Sequence, residues 1–147
     1  MEIKITDNTF FVFDLDDTLF QEIDYLKSAY KSISQKLQTQ IAVDIYEEML
    51  HKYQKKENVF QWICDTYSGK LNEVDLKYLL TLYREHFPVI ELSQATKGFL
   101  KELQELNVPA GLITDGRSIT QRNKIKALNI ESFFNDIIIS EEFGSEK

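Results

Sequence analysis

Cysteine, histidine and proline are scarce in this chain: 147 residues include one Cys, two His and two Pro. Cys64 has no intramolecular partner, so no internal disulfide can form, and with only His51 and His86 beside it a zinc site of nitrogen and sulfur ligands is poorly supplied. Cys64 reads as a small buried hydrophobe. A basic surplus is missing too, because 17 Lys and Arg against 24 Asp and Glu leave a net charge of −7 and a pI near 4.9. That balance argues against broad nucleic-acid binding, since nothing is left over to neutralise a phosphate backbone. An anionic substrate must be small and metal-assisted. No apolar run approaches the roughly 20 residues of a membrane span. Met1-Glu2-Ile3-Lys4 carries no signal-peptide pattern, so a cytoplasmic protein without a membrane partner is expected. Internal repeats and low-complexity tracts are absent as well. What is abundant is core material: 43% apolar and 12% aromatic residues are ample for one packed domain, or a small core with an insertion.

The apolar run Phe10-Phe11-Val12-Phe13 does not alternate, as expected for a parallel strand covered on both faces. Asp14, Asp16 and Asp17 stand at its end. Unpaired carboxylates beside a core are disfavoured, so a neutralising cation, a divalent metal above all, is expected there. An extended chain places Asp14 and Asp16 on one side and Asp17 on the other. Two converging carboxylates allow a division of labour, one ionised against metal and nucleophilic, the other holding and passing a proton. The bland alternative is a solvated acidic turn in which Asp17 or Thr18 caps a helix. A calcium loop fails, because its sixth and twelfth positions would be Leu19 and Tyr25.

Beyond this cluster the periodicity becomes helical. Ile23, Leu26, Tyr30, Ile33 and Leu37 form one face of a helix from about Glu22 to Gln38. Val43 to Tyr53, Val59 to Tyr67 and Val74 to Phe87 repeat the pattern, with Asn72 the expected cap of the last and Pro88 its end. Alternation of strand and helix then resumes. Ser93 caps a helix whose stripe is Thr96, Phe99, Leu100, Leu103 and Leu106, then come a strand over Val108 to Ile113, a helix from about Ser118 to Leu128, and the strand Ile137-Ile138-Ile139. Parallel strands joined by helices imply an α/β fold with a doubly wound, Rossmann-like sheet and active residues at the strands' carboxyl ends. Residues 1–19 and 89–147 would form that core and residues 20–88 an inserted helical cap domain.

Thr114-Asp115-Gly116-Arg117-Ser118 follows the second strand. Gly116 lets backbone approach an oxyanion, Thr114 donates a hydroxyl, and the next helix adds its positive end. Alone this is an ordinary turn with Ser118 as N-cap; with the aspartate cluster it reads as a phosphate cradle. Ser140 to Lys147 follows the third strand, and Lys147 could reach a phosphoryl oxygen or pair with Asp14, or simply be solvated. Lys52, Lys55 and Lys56 read as a solvated helix face, and Tyr25, Tyr30, Phe60 and Trp62 as core aromatics before pocket lining.

These residues resemble the haloacid dehalogenase superfamily, in particular phosphatase-like members with a helical cap after the first motif. Phe10 to Leu19 is similar to the first motif, Leu112-Ile113-Thr114-Asp115-Gly116 to the second, with Asp115 where many members carry Asn, and Lys147 falls on the third-motif lysine, Lys124 being the less favoured candidate. The resemblance implies a magnesium-dependent phosphate monoester hydrolase of small phosphorylated metabolites. In it Asp14 attacks phosphorus, Asp16 protonates the leaving oxygen and later activates water, Asp14 and Asp16 hold Mg2+, and Thr114, Asp115, Gly116 and Lys147 bind or orient the phosphoryl group. It also implies a fourth, acidic motif after a further strand, which the sequence does not contain. Weak metal binding, little or no turnover, and self-association through an exposed sheet edge are therefore expected. A fragment, a truncated gene product and half of an intertwined oligomer all fit. A non-catalytic or regulatory binding protein that keeps the fold is the alternative; a phospho-accepting receiver shares the acids, hydroxyl and lysine but has no reason to insert four helices.

Overall fold

The computed structural model describes residues 3–144. In chain order its elements are β1 (Phe11–Phe13), α1 (Glu22–Ile41), α2 (Tyr46–Gln54), α3 (Val59–Tyr67), α4 (Leu76–Glu85), α5 (Gln94–Glu105), β2 (Ala110–Thr114), α6 (Ser118–Leu128), a 3₁₀ turn (Glu131–Phe133), β3 (Asp136–Ile139) and α7 (Ser140–Phe143). The chain divides into two compact units, one formed by Met1–Glu22 with Ile90–Lys147 and the other by Ile23–Val89.

The first unit is α/β. Its three strands are parallel in the order β1-β2-β3, a Rossmann-like sheet that is incomplete on its C-terminal side. Register places Phe11, Phe13, Ala110, Leu112, Thr114, Ile137 and Ile139 on one face. That face is the core side: Leu112 and Ile139 are fully buried, and Phe99 of α5 packs edge-on against Phe11 and Phe13. The opposite face differs from the sequence expectation. β1 is not covered on both sides: Phe10 is 69% and Val12 54% exposed, and they border a shallow cavity of about 300 Å³ shared with Gly111, Ile113 and Ile138. The non-alternating sequence suits a two-sided environment, yet no layer covers Val12 among the described residues.

α5 starts as its sequence dictates, with Ser93 Oγ accepting the Thr96 N–H at 3.1 Å. Only Leu100 and Leu103 of its stripe are buried, while Phe99 and Leu106 keep exposed surface. β2 begins two residues later than the predicted Val108 and ends on Thr114, because Pro109 lacks an N–H and its carbonyl instead accepts from Phe11.

The second unit is all helix. Leu26, Tyr30, Ile33, Leu37 and Ile41 of α1 pack with Ile45, Met49, Val59, Ile63 and Leu79. Tyr30 lies among Tyr53, Phe60 and Tyr83, and burial pushes its hydroxyl up to about 12. Two expectations shift. Val43 is exposed, and the chain enters α2 through buried Ser34, whose hydroxyl donates to Asp44 and accepts the Ile45 N–H. The cap of α4 is Asp75, accepting from Tyr78 N–H at 2.8 Å, whereas Asn72 donates its own N–H to Gln40. Asp75 directly precedes the helix, the place from which a carboxylate reaches the N3 amide.

Candidate active site

β1 delivers Asp14 to its C-terminal end, where the carboxylate accepts the adjacent Leu15 N–H at 2.8 Å. Leu15 is fully buried and anchors a tight turn: its carbonyl accepts from Thr18 and Leu19 N–H while Asp17 adopts φ 56°. Asp17 then caps α1, its Oδ1 accepting the Glu22 N–H at 2.8 Å. The capping alternative thus describes Asp17.

Asp16 sits differently. Lys124 Nζ lies 2.6 Å from its Oδ1, and Gln121 Nε2 donates to its Oδ2 at 2.9 Å. The same nitrogen donates to Thr114 Oγ1 at 2.6 Å, so α6 ties the end of β1 to the end of β2. Thr114, Gln121 and Lys124 are only 1%, 2% and 3% exposed. Apart from Ser34, they are the buried polar residues among those described, and each buried polar atom has a partner, as polar groups removed from water require. Glu22 adds a further acid: burial foremost, then the charge of Asp16, holds its carboxyl above the usual range.

The loop after β2 is the one expected as a phosphate cradle. Gly116 adopts φ +141°, and the space a Cβ would fill is taken by Gln121, whose Cγ and Cδ would stand 3.1 Å from it. Its N–H donates to Ser140 Oγ at 2.9 Å. Ser118 does not cap α6; its N–H donates to Glu141 and its hydroxyl to Glu142. Arg122 completes the clamp with two bonds to Glu142, at 2.9 and 2.7 Å. The Arg122 guanidinium first, then the Ser118 hydroxyl, holds the Glu142 carboxyl down to about 2. The positive end of α6 is therefore met by Glu141. Of the loop's expected phosphate ligands, Thr114 is the one joined to Asp16, Asp115 is solvent-exposed, and Gly116 directs its N–H to β3's flank.

Lys147 lies outside the described residues, and the lysine that meets Asp16 is Lys124. Its signal was present in the sequence: positions 121, 124, 125 and 128 fall on one helical face, where two polar residues join two apolar ones. Among the described residues no group of three or more His, Cys, Asp or Glu could hold a metal ion. Both Asp16 carboxylate oxygens accept from protein donors, and the Asp14 carboxylate, which accepts the Leu15 N–H, and the Asp16 main-chain carbonyl are the oxygens that would hold a hard cation. A magnesium ion bound through one or two protein oxygens, with water and substrate phosphate completing its shell, fits that donor set.

Residues 11–147 match the haloacid dehalogenase-like hydrolase family. The chain belongs to that family. It is 30% identical over 145 residues to the glyceraldehyde 3-phosphate phosphatase of Methanocaldococcus jannaschii, an alignment covering 92% of this chain and 64% of that protein. To the protein of the same name from Pyrococcus abyssi it is 28% identical, covering 92% and 60%. This haloacid dehalogenase-like chain thus spans 64% and 60% of the lengths of these two relatives. Among solved structures it is similar to the HAD-hydrolase YfnB of Bacillus subtilis bound to magnesium, with a TM-score of 0.60, 21% identity, and coverage of 93% of this chain and 65% of that one. A β-phosphoglucomutase-like structure from Thermotoga maritima gives a TM-score of 0.58 at 13% identity, with 92% and 63% coverage. At such identities the likeness is one of fold.

Proposed function

We propose that this chain carries the reacting groups of a phosphate monoester hydrolase. The observation that supports this most is the tie between Asp16 and Thr114 through Gln121, made at the carboxyl ends of two parallel strands beside Asp14. In the proposed reaction an Asp14 carboxylate oxygen forms a bond to phosphorus as the ester oxygen departs, and Asp16 supplies the proton that makes it an alcohol. Water then attacks the aspartyl-phosphate, Asp16 takes back a proton, inorganic phosphate leaves and Asp14 is regenerated. Thr114 orients the transferring group, whose charge is spread over its equatorial oxygens. Magnesium, when bound, supplies charge neutralisation for that group.

The substrate class is a small phosphorylated metabolite, and the names of the curated relatives make a triose phosphate the first compound to try. We take the Ile23–Val89 unit as the cap expected over residues 20–88 and assign substrate choice to it. Among the described residues β1 is the outer strand of the sheet and its Val12 side is exposed, which supports self-association with a second copy through that sheet edge. A non-catalytic binding role that keeps the fold stays as the second reading, with both Asp16 carboxylate oxygens held by protein donors. Hydrolysis of p-nitrophenyl phosphate at high protein concentration separates the two: magnesium-dependent release is expected from the wild type and none from Asp14→Asn. Unchanged hydrolysis in that variant removes Asp14 as nucleophile.

A further inference from the structure

The charges of α5 are placed against the preference of its own helix. Its first turn carries no acid and its last turn no base; Lys97 and Lys101 precede Glu102 and Glu105, although a helix favours acids near its start and cations near its end. The two lysines are also four residues apart, a spacing that sets like charges side by side and works against the helix. Neither forms an ion pair among the described residues. Helix energetics therefore do not account for a basic pair left unneutralised in a chain of net charge −7, but the surroundings of the pair do. Lys97 and Lys101 line a cavity of about 520 Å³, within the size range of small-molecule sites. Part of its lining is apolar: Ile90 and Leu128, each 6% exposed, with Leu92 and Phe133. The 3₁₀ turn that carries Phe133 is tied to α5 by Gln104 Nε2, which donates to the Ser132 carbonyl at 3.2 Å. None of Asp14, Asp16, Thr114, Gln121 and Lys124 lines this cavity.

We infer that this cavity is a second ligand site, for a small organic phosphate whose dianionic head meets the Lys97 and Lys101 ammonium groups and whose apolar body lies along Leu92, Leu128 and Phe133. Two lysines act as point charges without the planar fork of arginine, which suits a compact dianion better than a single flat carboxylate. The cavity holds more than a bare phosphate, and the apolar lining rewards a ligand that brings a hydrocarbon or a ring with it. Glu91 shares the lining, and its negative charge disfavours a ligand with further anionic groups, because like charges brought together in an interface are costly. Binding here changes no covalent bond, needs neither Asp14 nor a metal, and stands apart from the hydrolase reading.

Phenylphosphonate is the probe, since it joins a ring to a phosphoryl head through a carbon–phosphorus bond that a phosphate ester hydrolase leaves intact. It is titrated into the full chain without magnesium at about pH 8, above the second phosphate ionisation near about 6, and followed through the backbone amide signals in 1H–15N NMR. Saturating shifts are expected at Lys97, Lys101, Asn129 and Ser132. Lys97→Gln and Lys101→Gln keep helix-forming side chains at exposed positions; each should weaken binding about threefold and the double variant about tenfold, the scale of exposed ion pairs. The thermal midpoint of the unliganded double variant should not fall below that of the wild type, because the repulsion between the lysines is gone. Benzenesulfonate, the same ring with one charge, and inorganic phosphate, the same head with no ring, should each bind about threefold more weakly or worse. Shifts confined to the neighbourhood of Thr114 and Gly116, or a double variant that binds within about twofold of wild type, overturn the inference. Benzenesulfonate binding as tightly as phenylphosphonate overturns the dianionic head, and phosphate doing so overturns the apolar body.

Discussion

Gly116→Ala is the most informative small change to this site. Gly116 sits at φ +141°, and an added Cβ would meet Gln121 Cγ and Cδ at 3.1 Å. The backbone strain alone is worth about 1–3 kcal/mol. Gln121 cannot give way freely, since it is buried and its amide is held by Asp16 and Thr114. Displacing it weakens a hydrogen bond to a charged group, worth roughly 1.5–3 kcal/mol when fully lost. With partial relaxation the sum is about 2–4 kcal/mol, and at about 3 °C per kcal/mol for a chain of this size the melting point should fall by roughly 6–12 °C. Urea and thermal unfolding would measure both figures. Gly98→Ala is the control: nothing lies within 4 Å of the Cβ it would add, it sits within α5, and it should stabilise by about 0.5–1 kcal/mol through helix propensity. A double-mutant cycle with Gln121→Ala isolates the steric part, expected at about 1–2 kcal/mol of coupling. A Gly116→Ala protein as stable as wild type, or a cycle with no coupling, would show that the glycine does not make room for the Gln121 amide.

Two further outcomes can be checked directly. Because Glu142 has its folded carboxyl lowered from 4.5 to about 2, the stability it contributes is present above pH 4.5 and lost as pH falls toward 2. Glu142→Gln should therefore narrow the gap to wild type across that window, by no more than about 1 kcal/mol because the pair is solvent-screened; superimposable urea midpoints against pH would refute the clamp. Val12→Lys, on the uncovered sheet face, should shift sedimentation toward monomer while leaving stability within about 0.5 kcal/mol, as surface substitutions do; an unchanged sedimentation profile would exclude that face as the contact.

Local chemistry made much of the fold readable from sequence. Val59–Tyr67 and Ser118–Leu128 carry their periodicity in their own residues and form the helices expected, and Ser93 caps the helix it precedes. Long-range matters were harder to see. Whether Val12 is covered depends on what packs across the sheet, which a run of apolar residues does not state. Asp16 and Lys124 are 108 positions apart, so their pairing follows from tertiary arrangement, and two polar residues sharing a face with Ile125 and Leu128 give a hint of it only when the face is drawn out. Gly116 was readable as a special backbone position, but the group that fills its empty side belongs to the following helix.

α6 is held along two flanks: Ser118 and Arg122 by the glutamates after β3, Gln121 and Lys124 by the acid and hydroxyl at the sheet's end. A helix of 11 residues is thus pinned on both sides, and a tilt introduced at one flank is expected to reach the other. Randomising positions 140 to 142 would accordingly retune the angle at which Asp16 presents its oxygens, so a sequence library confined to that outer turn would sample reactivity as well as surface.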